Sequence, residues 1–324
     1  MARRLREKEA LFRGERLRPR PSHPRSVEET VPMPDYLGRE SSPLSPAQWR
    51  ALDTAATEAA RRTLAGRRLI PLYGPIGPGF EVTQSDRVPR GAGTVNVLGE
   101  GAEPLSPERQ RRYVSLPVVS QDFVIHWRDL EASARLGLPL DTSLAAAAAV
   151  ACARAEDELI FNGSAALEQA GLRTVPGRVV VPQSDWSRMG GAFHDVVSAV
   201  DELLGRGLNG PFALAASPDL YMAMNRMFEN SGVLEIDQVA KLLRGGVFTS
   251  AVLPRGAAVL VATGPENVDL AVGVDMCVAY TETSQMNHHF RVLETVALRI
   301  KRPDAICTIE PAGQPASARG ASRA

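Results

Sequence analysis

Three consecutive acidic residues, Glu156, Asp157 and Glu158, offer carboxylates that could bind a metal ion or transfer a proton. They come near the end of an alanine-rich segment that predicts a long helix. Consecutive residues on a helix point in different directions, so at most two of these carboxylates can face one site. Because buried carboxylates generally persist only when they are paired, we predict structural ion pairs at all three positions rather than a metal site.

The histidines and cysteines add little for catalysis. His288 and His289 precede a predicted strand, where neighbouring side chains point to opposite faces, so we do not expect them to bind one metal ion together. The three cysteines, Cys152, Cys277 and Cys307, are far apart in the sequence. That spacing is typical of buried reduced thiols and not of a disulfide framework or a Cys-x-x-Cys metal site.

The sequence contains none of the short motifs that mark common enzymes. It has no Gly-x-Ser-x-Gly elbow, no His-Glu-x-x-His, no phosphate loop ending in Gly-Lys-Ser/Thr and no Gly-x-Gly-x-x-Gly after a strand. We therefore predict that the protein is not an enzyme and binds no metal or other cofactor itself. A hydrolase remains the alternative from a different class, although the sequence supplies no nucleophile with a base beside it.

Charge and composition exclude several other classes. The 324 residues include 37 basic and 37 acidic side chains, so the net charge favours neither nucleic acid nor an anionic membrane surface. No apolar run approaches the roughly 20 residues that span a bilayer, and no apolar stretch follows the basic start as in a secretory signal. We expect a cytoplasmic protein without a membrane partner or a specific nucleic-acid partner.

The longest predicted helix covers residues 141–163, begins with cap-type residues and ends at Asn162 and Gly163. Many of its side chains are single methyl groups, so neighbouring elements can approach its backbone closely. Another helix is predicted at 45–66. Residues 73–115 instead mix glycine, proline, valine and charge without a helical period, and a segment so long without a core needs a neighbour to lie against.

The rest of the chain mixes both kinds of secondary structure, which predicts an α+β fold. Further helices are predicted at 123–136, 192–205, 218–228 and 234–243. Strands are predicted at 95–97, 114–116, 212–216, 258–263, 270–274, 276–281, 290–300 and 305–309.

Short motifs spread over this length occur in an order known from one family. They are the Pro-x-x-x-Trp helix ending in Leu-x-Gly-Arg-Arg (46–68), Tyr-Gly-Pro (73–75), Glu-Asp-Glu-Leu-Ile-Phe-x-Gly (156–163), Gly-Pro-Phe (210–212), Leu-Leu-Arg-Gly-Gly (242–246) and Phe-Arg-Val-Leu-Glu-Thr (290–295). On these motifs the chain resembles the encapsulins, shell-forming proteins with the fold of tailed-phage major capsid proteins. The sequences of residues 33–37 and 299–310 most resemble those of the myxobacterial type, which is associated with iron storage.

The resemblance implies a capsid-type α+β fold with a peripheral domain, an axial domain and an extended loop. The implied segments are a disordered basic arm or over-extended start at 1–32, an N-terminal arm and helix at 33–72, the extended loop at 73–118, a peripheral domain at 119–191 around the helix 141–163, an axial domain at about 192–285, return strands of the peripheral domain at 286–310 and a disordered tail at 311–324. The extended loop would lie on a neighbouring subunit.

The resemblance also implies a function and the residues that serve it. Many copies of the chain would form an icosahedral shell that encloses cargo enzymes carrying short C-terminal targeting tails. Carried over from the family, the residues that would line the groove for such a tail are Ala60, Leu64, Arg67, Cys307 and Ile309. Those near the opening of the fivefold pore would be Asn230, Ser231 and Gly232.

The cargo that this resemblance implies is a ferritin-like ferroxidase for iron storage and protection from oxidative stress. A dye-type peroxidase cargo and a phage or prophage major capsid protein remain alternatives. Pro71 stands where many relatives have an acidic residue, so the preference for a cargo tail can differ here. Some encapsulins bind a flavin against a tryptophan near the extended loop, but Trp127 matches that position only approximately, so no flavin site is assigned.

Overall fold

The computed structural model describes residues 35–87, 111–227 and 232–311. By compactness the chain divides into two units, Met1–Asp35 and Tyr36–Ala324, and the description below concerns the second. The basic arm predicted at 1–32, the predicted strand at 95–97 and the predicted tail after residue 311 lie outside the described residues.

Helices and strands alternate along most of this unit. The helices are α1 (Pro46–Thr63), α2 (Gly66–Leu69), α3 (Trp127–Leu136), α4 (Ser143–Phe161), α5 (Gly191–Leu204), α6 (Pro218–Met224) and α7 (Glu235–Leu243), with short 3-10 helices at Arg39–Ser41 and Pro303–Ala305. The strands are β1 (Leu72–Tyr73), β2 (Val82–Gln84), β3 (Tyr113–Ser115), β4 (Val118–Ile125), β5 (Gly163–Ser164), β6 (Gln169–Ala170), β7 (Val179–Gln183), β8 (Phe212–Ala216), β9 (Arg244–Thr249), β10 (Ala258–Ala262), β11 (Val268–Ser284), β12 (Asn287–Ile300) and β13 (Ile306–Pro311).

Helix α1 begins and packs as its sequence predicts. The Ser45 side chain accepts a hydrogen bond from the Gln48 backbone N–H, the Gln48 side chain accepts one from the Ser45 backbone N–H, and Pro46 occupies the first turn. The helix buries Trp49 and Leu52 together with the small residues Ala56, Ala59 and Ala60. Their spacing of three to four residues is that of one face of a helix.

Helix α4 confirms the long central helix predicted at 141–163. Its buried face is formed mainly by small residues, among them Ala145, Ala148, Ala149 and Ala153. This face packs with α1 and with strands β4 and β12 in one apolar cluster. After α4 the chain turns at Gly163, whose φ of 75° is the left-handed conformation that glycine adopts without strain.

Two sheets carry the rest of the core. One has four strands in the order β1-β11-β12-β4 and is antiparallel except for the short parallel pair of β1 and β11. The other has five strands in the order β7-β13-β10-β8-β9, with α5, α6 and α7 packed into its core. Strand β11 replaces the two strands predicted at 270–274 and 276–281, because irregularities in its register interrupt the apolar pattern without ending the pairing.

The sheets do not follow the predicted segment boundaries. Strand β11 falls largely in the range predicted as the axial domain, yet it pairs with β12 and extends the sheet that α4 covers. Strands β7 and β13 were placed with the peripheral domain, yet they form one side of the five-stranded sheet. Strand pairing joins residues far apart in the chain, so the order of elements alone could not give these assignments.

The helix predicted at 123–136 is wrong in its first part. Residues 118–125 form β4, and α3 begins only at Trp127. His126 separates the two elements: its backbone is extended and its Nδ1 atom accepts a hydrogen bond 3.3 Å long from the Arg128 backbone N–H. The cap therefore ends the strand and starts the helix within one residue.

The extended loop predicted at 73–118 includes a two-stranded ribbon formed by β2 and β3. Strand β2 pairs antiparallel with β3, so the chain leaves and re-enters the body of the unit at adjacent points. The strand predicted at 114–116 corresponds to β3. In the described part of the chain, no helix has both the length and the apolar character needed to cross a membrane.

Candidate functional site

The residues expected to bind a cargo tail do not form one open groove. Ala60 and Leu64 are 3% and 6% exposed and face the apolar cluster that α1 shares with α4. Cys307 and Ile309 are fully buried in a different cluster, in the core of the five-stranded sheet. The structure corrects the assignment of Cys307 and Ile309, because β13 is an interior strand and leaves no surface there for a peptide to contact.

Arg67 is engaged by other side chains of the same unit. Its Nε atom donates to both carboxylate oxygens of Glu156, at 2.8 and 3.0 Å, and its Nη2 atom donates to Glu156 Oε2 and Glu294 Oε2, each at 2.7 Å. Its Nη1 atom donates to Asp275 Oδ1 at 2.6 Å. A guanidinium held by three carboxyl groups is not free to bind the tail of another protein, so the structure corrects this assignment too.

The arginine and its partners form a buried network, which we call the Arg67 network: Arg67, Glu156, Asp275 and Glu294. Glu156 and Glu294 have no exposed side-chain surface, whereas Asp275 is largely exposed. Burial, together with the nearby charge of Glu156, holds the pKa of Glu294 well above its ordinary value. Arg67 donates three hydrogen bonds to Glu156 and one to Glu294, so the main buried pair is Arg67 with Glu156.

Asp157, which was expected to form an ion pair, instead caps a helix. Its carboxylate accepts hydrogen bonds from the backbone N–H of Gly66, at 2.8 Å, and of Ala65, at 3.0 Å, and from the Ser250 hydroxyl, at 3.2 Å. A side chain at Gly66 would collide with Ile160 of α4, which explains the glycine at this junction. The cap joins the start of α2 to the last turns of α4.

The third of the acidic residues, Glu158, is exposed. Its charge acts on Arg173 without a close ion pair between them. The three consecutive carboxylates thus have three different surroundings: Glu156 pairs with an arginine, Asp157 accepts from backbone N–H groups, and Glu158 faces solvent. Their divergent directions are those that helix geometry requires of neighbouring residues.

Burial raises the pKa of the Asp157 carboxyl to about 6, because the cost of desolvation exceeds the effect of its three hydrogen bonds. A folded-state pKa above the unfolded value means that the folded state binds the proton more tightly. This contribution to stability is complete below about pH 4 and is lost as the pH rises through about 6. The difference between the folded and unfolded pKa values limits this contribution to the free energy of unfolding to at most about 3 kcal/mol.

We expect Asp157→Asn to remove this dependence, since the amide is neutral at every pH and keeps an oxygen acceptor for the Gly66 N–H. Urea unfolding of wild type and variant at pH 7 and pH 5 measures the difference. Glu158→Gln, an exposed change at the next residue, is the control and should leave the slope unchanged. A wild-type pH slope in Asp157→Asn would contradict the assignment.

The pore residues are only partly covered by the structure. Asn230 and Ser231 lie outside the described residues. Gly232 is exposed and has a φ of 66°, and the segment that contains it is closed by an isolated antiparallel bridge between Met227 and Leu234. These positions place Gly232 in an exposed turn between α6 and α7, and its role at a pore stays a prediction.

The three thiols do not have the character of nucleophiles. Burial is the main cause that raises the pKa of Cys152 and of Cys307 to about 12 and that of Cys277 to about 11. Thiols with such values stay protonated at neutral pH and react slowly. Within residues 35–87, 111–227 and 232–311, no group of three or more His, Cys, Asp or Glu side chains is arranged to hold a metal ion.

Trp127 is half-buried at the start of α3. Its ring stacks on that of His126 at a centroid distance of 6.1 Å, and the Arg128 guanidinium lies 5.5 Å from its centre. With Leu136 and Met286 it lines an open cavity of about 520 Å³. Trp127 therefore packs against its neighbours at the start of the helix.

Comparison with known sequences gives a consistent result. A family model described as "Encapsulating protein for peroxidase" matches residues 34–297. The type 1 encapsulin shell protein EncA of Myxococcus xanthus is 45% identical over 282 residues, which cover 87% of this chain and 98% of that protein. A diheme-cytochrome-encapsulin shell fusion protein of Kuenenia stuttgartiensis is 41% identical over 81% of this chain and 72% of its own length. A ferritin-like-encapsulin shell fusion protein of Pyrococcus furiosus is 23% identical over 62% of this chain and 54% of its own length.

Solved structures match the fold over most of the chain. The crystal structure of a virus-like particle from Pyrococcus furiosus aligns with a TM-score of 0.64 and 19% identity, covering 82% of this chain and 98% of that one. The capsid of the Myoviridae phage XM1 aligns with a TM-score of 0.50 and 12% identity, covering 74% and 90%. These likenesses confirm the predicted α+β fold of phage capsid proteins.

Proposed function

Since this chain belongs to the encapsulin shell-protein family, we propose that many copies of it assemble in the cytoplasm into a closed icosahedral shell around a cargo enzyme. The cargo we infer is a ferritin-like ferroxidase whose oxidised iron is stored inside. The observation that carries this proposal is the 45% identity with the Myxococcus xanthus shell protein, which spans 98% of that protein.

The surface of the single chain supports assembly. Large apolar side chains are exposed on several separate elements, among them Tyr113 on β3, Leu136 on α3, Met222 on α6 and Met286 beside β12, each more than 60% exposed. Exposed apolar side chains spread in this way suit a subunit that touches several neighbours, because each contact removes a different group from water.

Two observations bear on the cargo. The fusion of a ferritin-like protein with an encapsulin shell protein in Pyrococcus furiosus favours the iron-storage proposal. The description of the matching family favours a peroxidase as the second candidate. We further propose that the subunit itself is neither an enzyme nor the carrier of a cofactor, which the protonated state of its thiols supports.

Electron microscopy of the purified protein tests the shell. We expect closed particles of uniform diameter, because the proposal requires every subunit to meet the same kinds of neighbours. Mass photometry of the same sample should place most of the protein in a single high-mass species. Monomers or small oligomers alone, at concentrations where relatives of the family form shells, would contradict the proposal.

Co-expression tests the cargo. A ferritin-like ferroxidase with its C-terminal tail should co-purify with the shell, and the same enzyme without the tail should not. Iron added to the loaded particles should then appear as dense cores. Capture of a tailed dye-type peroxidase in preference to the tailed ferritin-like protein would move the assignment to the second candidate.

A further inference from the structure

The β2–β3 ribbon is joined to the body of the unit through its backbone carbonyls at two points. The last residue of β2, Gln84, accepts a hydrogen bond from the side chain of Arg299, and the last residue of β3, Ser115, accepts one from the side chain of Gln169. The two donors come from different elements, β12 and β6, and hold different strands of the ribbon. Both contacts fix the backbone, whatever side chains the ribbon carries.

Arg299 is itself held rigidly. Its Nε and Nη2 atoms donate to the two carboxylate oxygens of Asp269, each at 2.6 Å, and Lys301 donates to the same carboxylate at 2.8 Å. Its guanidinium lies 4.0 Å from the centre of the Tyr73 ring. The remaining nitrogen, Nη1, donates to the Gln84 carbonyl at 3.2 Å. Because the pair with Asp269 and the Tyr73 ring fix the plane of the guanidinium, its Nη1 atom can bind only one backbone position.

Gln169 supplies the second point. Its Nε2 atom donates to the Ser115 carbonyl at 2.7 Å and to the Ser115 hydroxyl at 2.9 Å. Gln169 follows Glu168, whose φ of 53° puts the backbone in a tight turn between β5 and β6. The turn rests on Gly163 and Gly171, whose backbones touch so closely that a side chain on either would collide with the other strand. The Gln169 side chain is therefore carried by a rigid turn.

The apolar contacts under the ribbon do not by themselves fix its direction. Leu116, directly after β3, packs on the small side chains of Ala271 and Ala297, with Ile76 and Val114 beside them. An open cavity of about 680 Å³ separates part of the ribbon from the β5–β6 turn and from Leu298 and Ile300. Because this apolar cluster is small and open space lies beside it, polar contacts are needed to keep the ribbon from tilting.

We propose that Arg299 and Gln169 are positioning residues that set the direction in which the chain leaves the body between β2 and β3. This inference rests on the proposed function, and it takes the long segment between β2 and β3 to contact the next copy of the chain in the shell, as expected of a segment without a core of its own. The 23 residues from 88 to 110 can extend at most about 40 Å before returning, so a tilt of about 10° at the ribbon would move the far end by about 7 Å. The two side chains therefore select the contact between copies, and with it the curvature of the shell.

Hydrogen exchange on the full chain tests whether these side chains hold the ribbon, independently of assembly. The backbone N–H of Ser85 donates to Arg112 O, and that of Leu116 donates to Glu81 O, so both amides report on the ribbon. We expect both to exchange about tenfold faster in Arg299→Lys, which keeps a charge for Asp269 but loses the fork and the contact to Gln84. The matched control is Arg291→Lys on the same strand, where Arg291 makes a bidentate pair with Asp122 away from the ribbon.

Assembly is then compared in the same variants by mass photometry and electron microscopy. We expect Arg299→Lys combined with Gln169→Ala to reduce the yield of particles of wild-type diameter at least about fivefold, with a thermal midpoint within a few degrees of the Arg291→Lys control. If Arg299→Lys prevents folding, hydrogen exchange and particle yield are measured in Gln169→Ala alone and compared with the control Gln121→Ala. Wild-type exchange and wild-type particles in the variants that fold would overturn the proposal. If the wild-type chain forms no particles, the proposed function fails. The difference in hydrogen exchange between Arg299→Lys and Arg291→Lys still tests whether Arg299 holds the ribbon.

Discussion

Replacing Arg67 with methionine should lower the free energy of unfolding by about 3–5 kcal/mol, because it leaves the Glu156 carboxylate buried without a counter-charge. Glu156 has no exposed side-chain surface, and Arg67 supplies three of the hydrogen bonds to it. Methionine fills much of the space of the arginine stem, so the loss reports on charge rather than on a cavity. Urea unfolding of wild type and variant at pH 7 gives the difference.

Two further variants separate the charge from other causes. Adding Glu156→Gln to Arg67→Met removes the unpaired charge and should recover most of the loss. Arg291→Met, which breaks the exposed pair with Asp122, should cost no more than about 1 kcal/mol. A loss that Glu156→Gln does not reduce would assign the effect to packing.

Ala149→Leu should destabilise the subunit by about 1–3 kcal/mol and reduce assembly, because the added atoms have no space between α4 and its neighbours. Ala149 has no exposed surface and lies in the cluster where α4 meets α1 and the four-stranded sheet. Ala146, also in α4, is half-buried, so Ala146→Leu should have a smaller effect. Thermal unfolding and the yield of particles measure the two consequences.

Ala151→Leu is the matched control, because Ala151 lies on the exposed face of the same helix. It makes the same change in volume and in helix propensity without entering the core. If Ala149→Leu and Ala151→Leu unfold at the same temperature, the close packing of α4 does not depend on small residues. If both assemble normally, the helix has more room than its burial indicates.

The elements that local sequence could predict are those whose burial follows a short period. The apolar face of α1 and the small-residue face of α4 recur every three to four residues, so neighbouring positions suffice to locate them. Strand β4 was missed because its polar residues and the helix directly after it, separated by the single residue His126, give a mixed pattern. The pairing of β7 and β13 with the five-stranded sheet depends on contacts over more than a hundred positions.

The Arg67 network shows why the site was harder to predict than the fold. Arg67 lies 89 positions from Glu156 and 227 positions from Glu294, and no short motif joins such residues. One signal was present in the sequence: Glu294 stands in an otherwise apolar set of alternate residues of β12, and a lone carboxyl at a buried position of a strand requires a partner. The set is Phe290, Val292, Glu294, Val296 and Leu298. The expectation that Arg67 binds a cargo tail came from resemblance alone, which carries no information on which side chains are already paired.

The Arg67 network limits which substitutions the sequence can accept during evolution. Arg67, Glu156 and Glu294 come from three distant parts of the chain but share one buried charge balance, so each is tolerated only while the others remain. A lineage that loses the arginine first passes through a subunit with an unpaired buried carboxylate. A lineage that first neutralises Glu156 leaves the arginine with fewer partners. The three positions are therefore expected to vary together. Replacing these residues singly by those of a relative will not reproduce the stability of the full set.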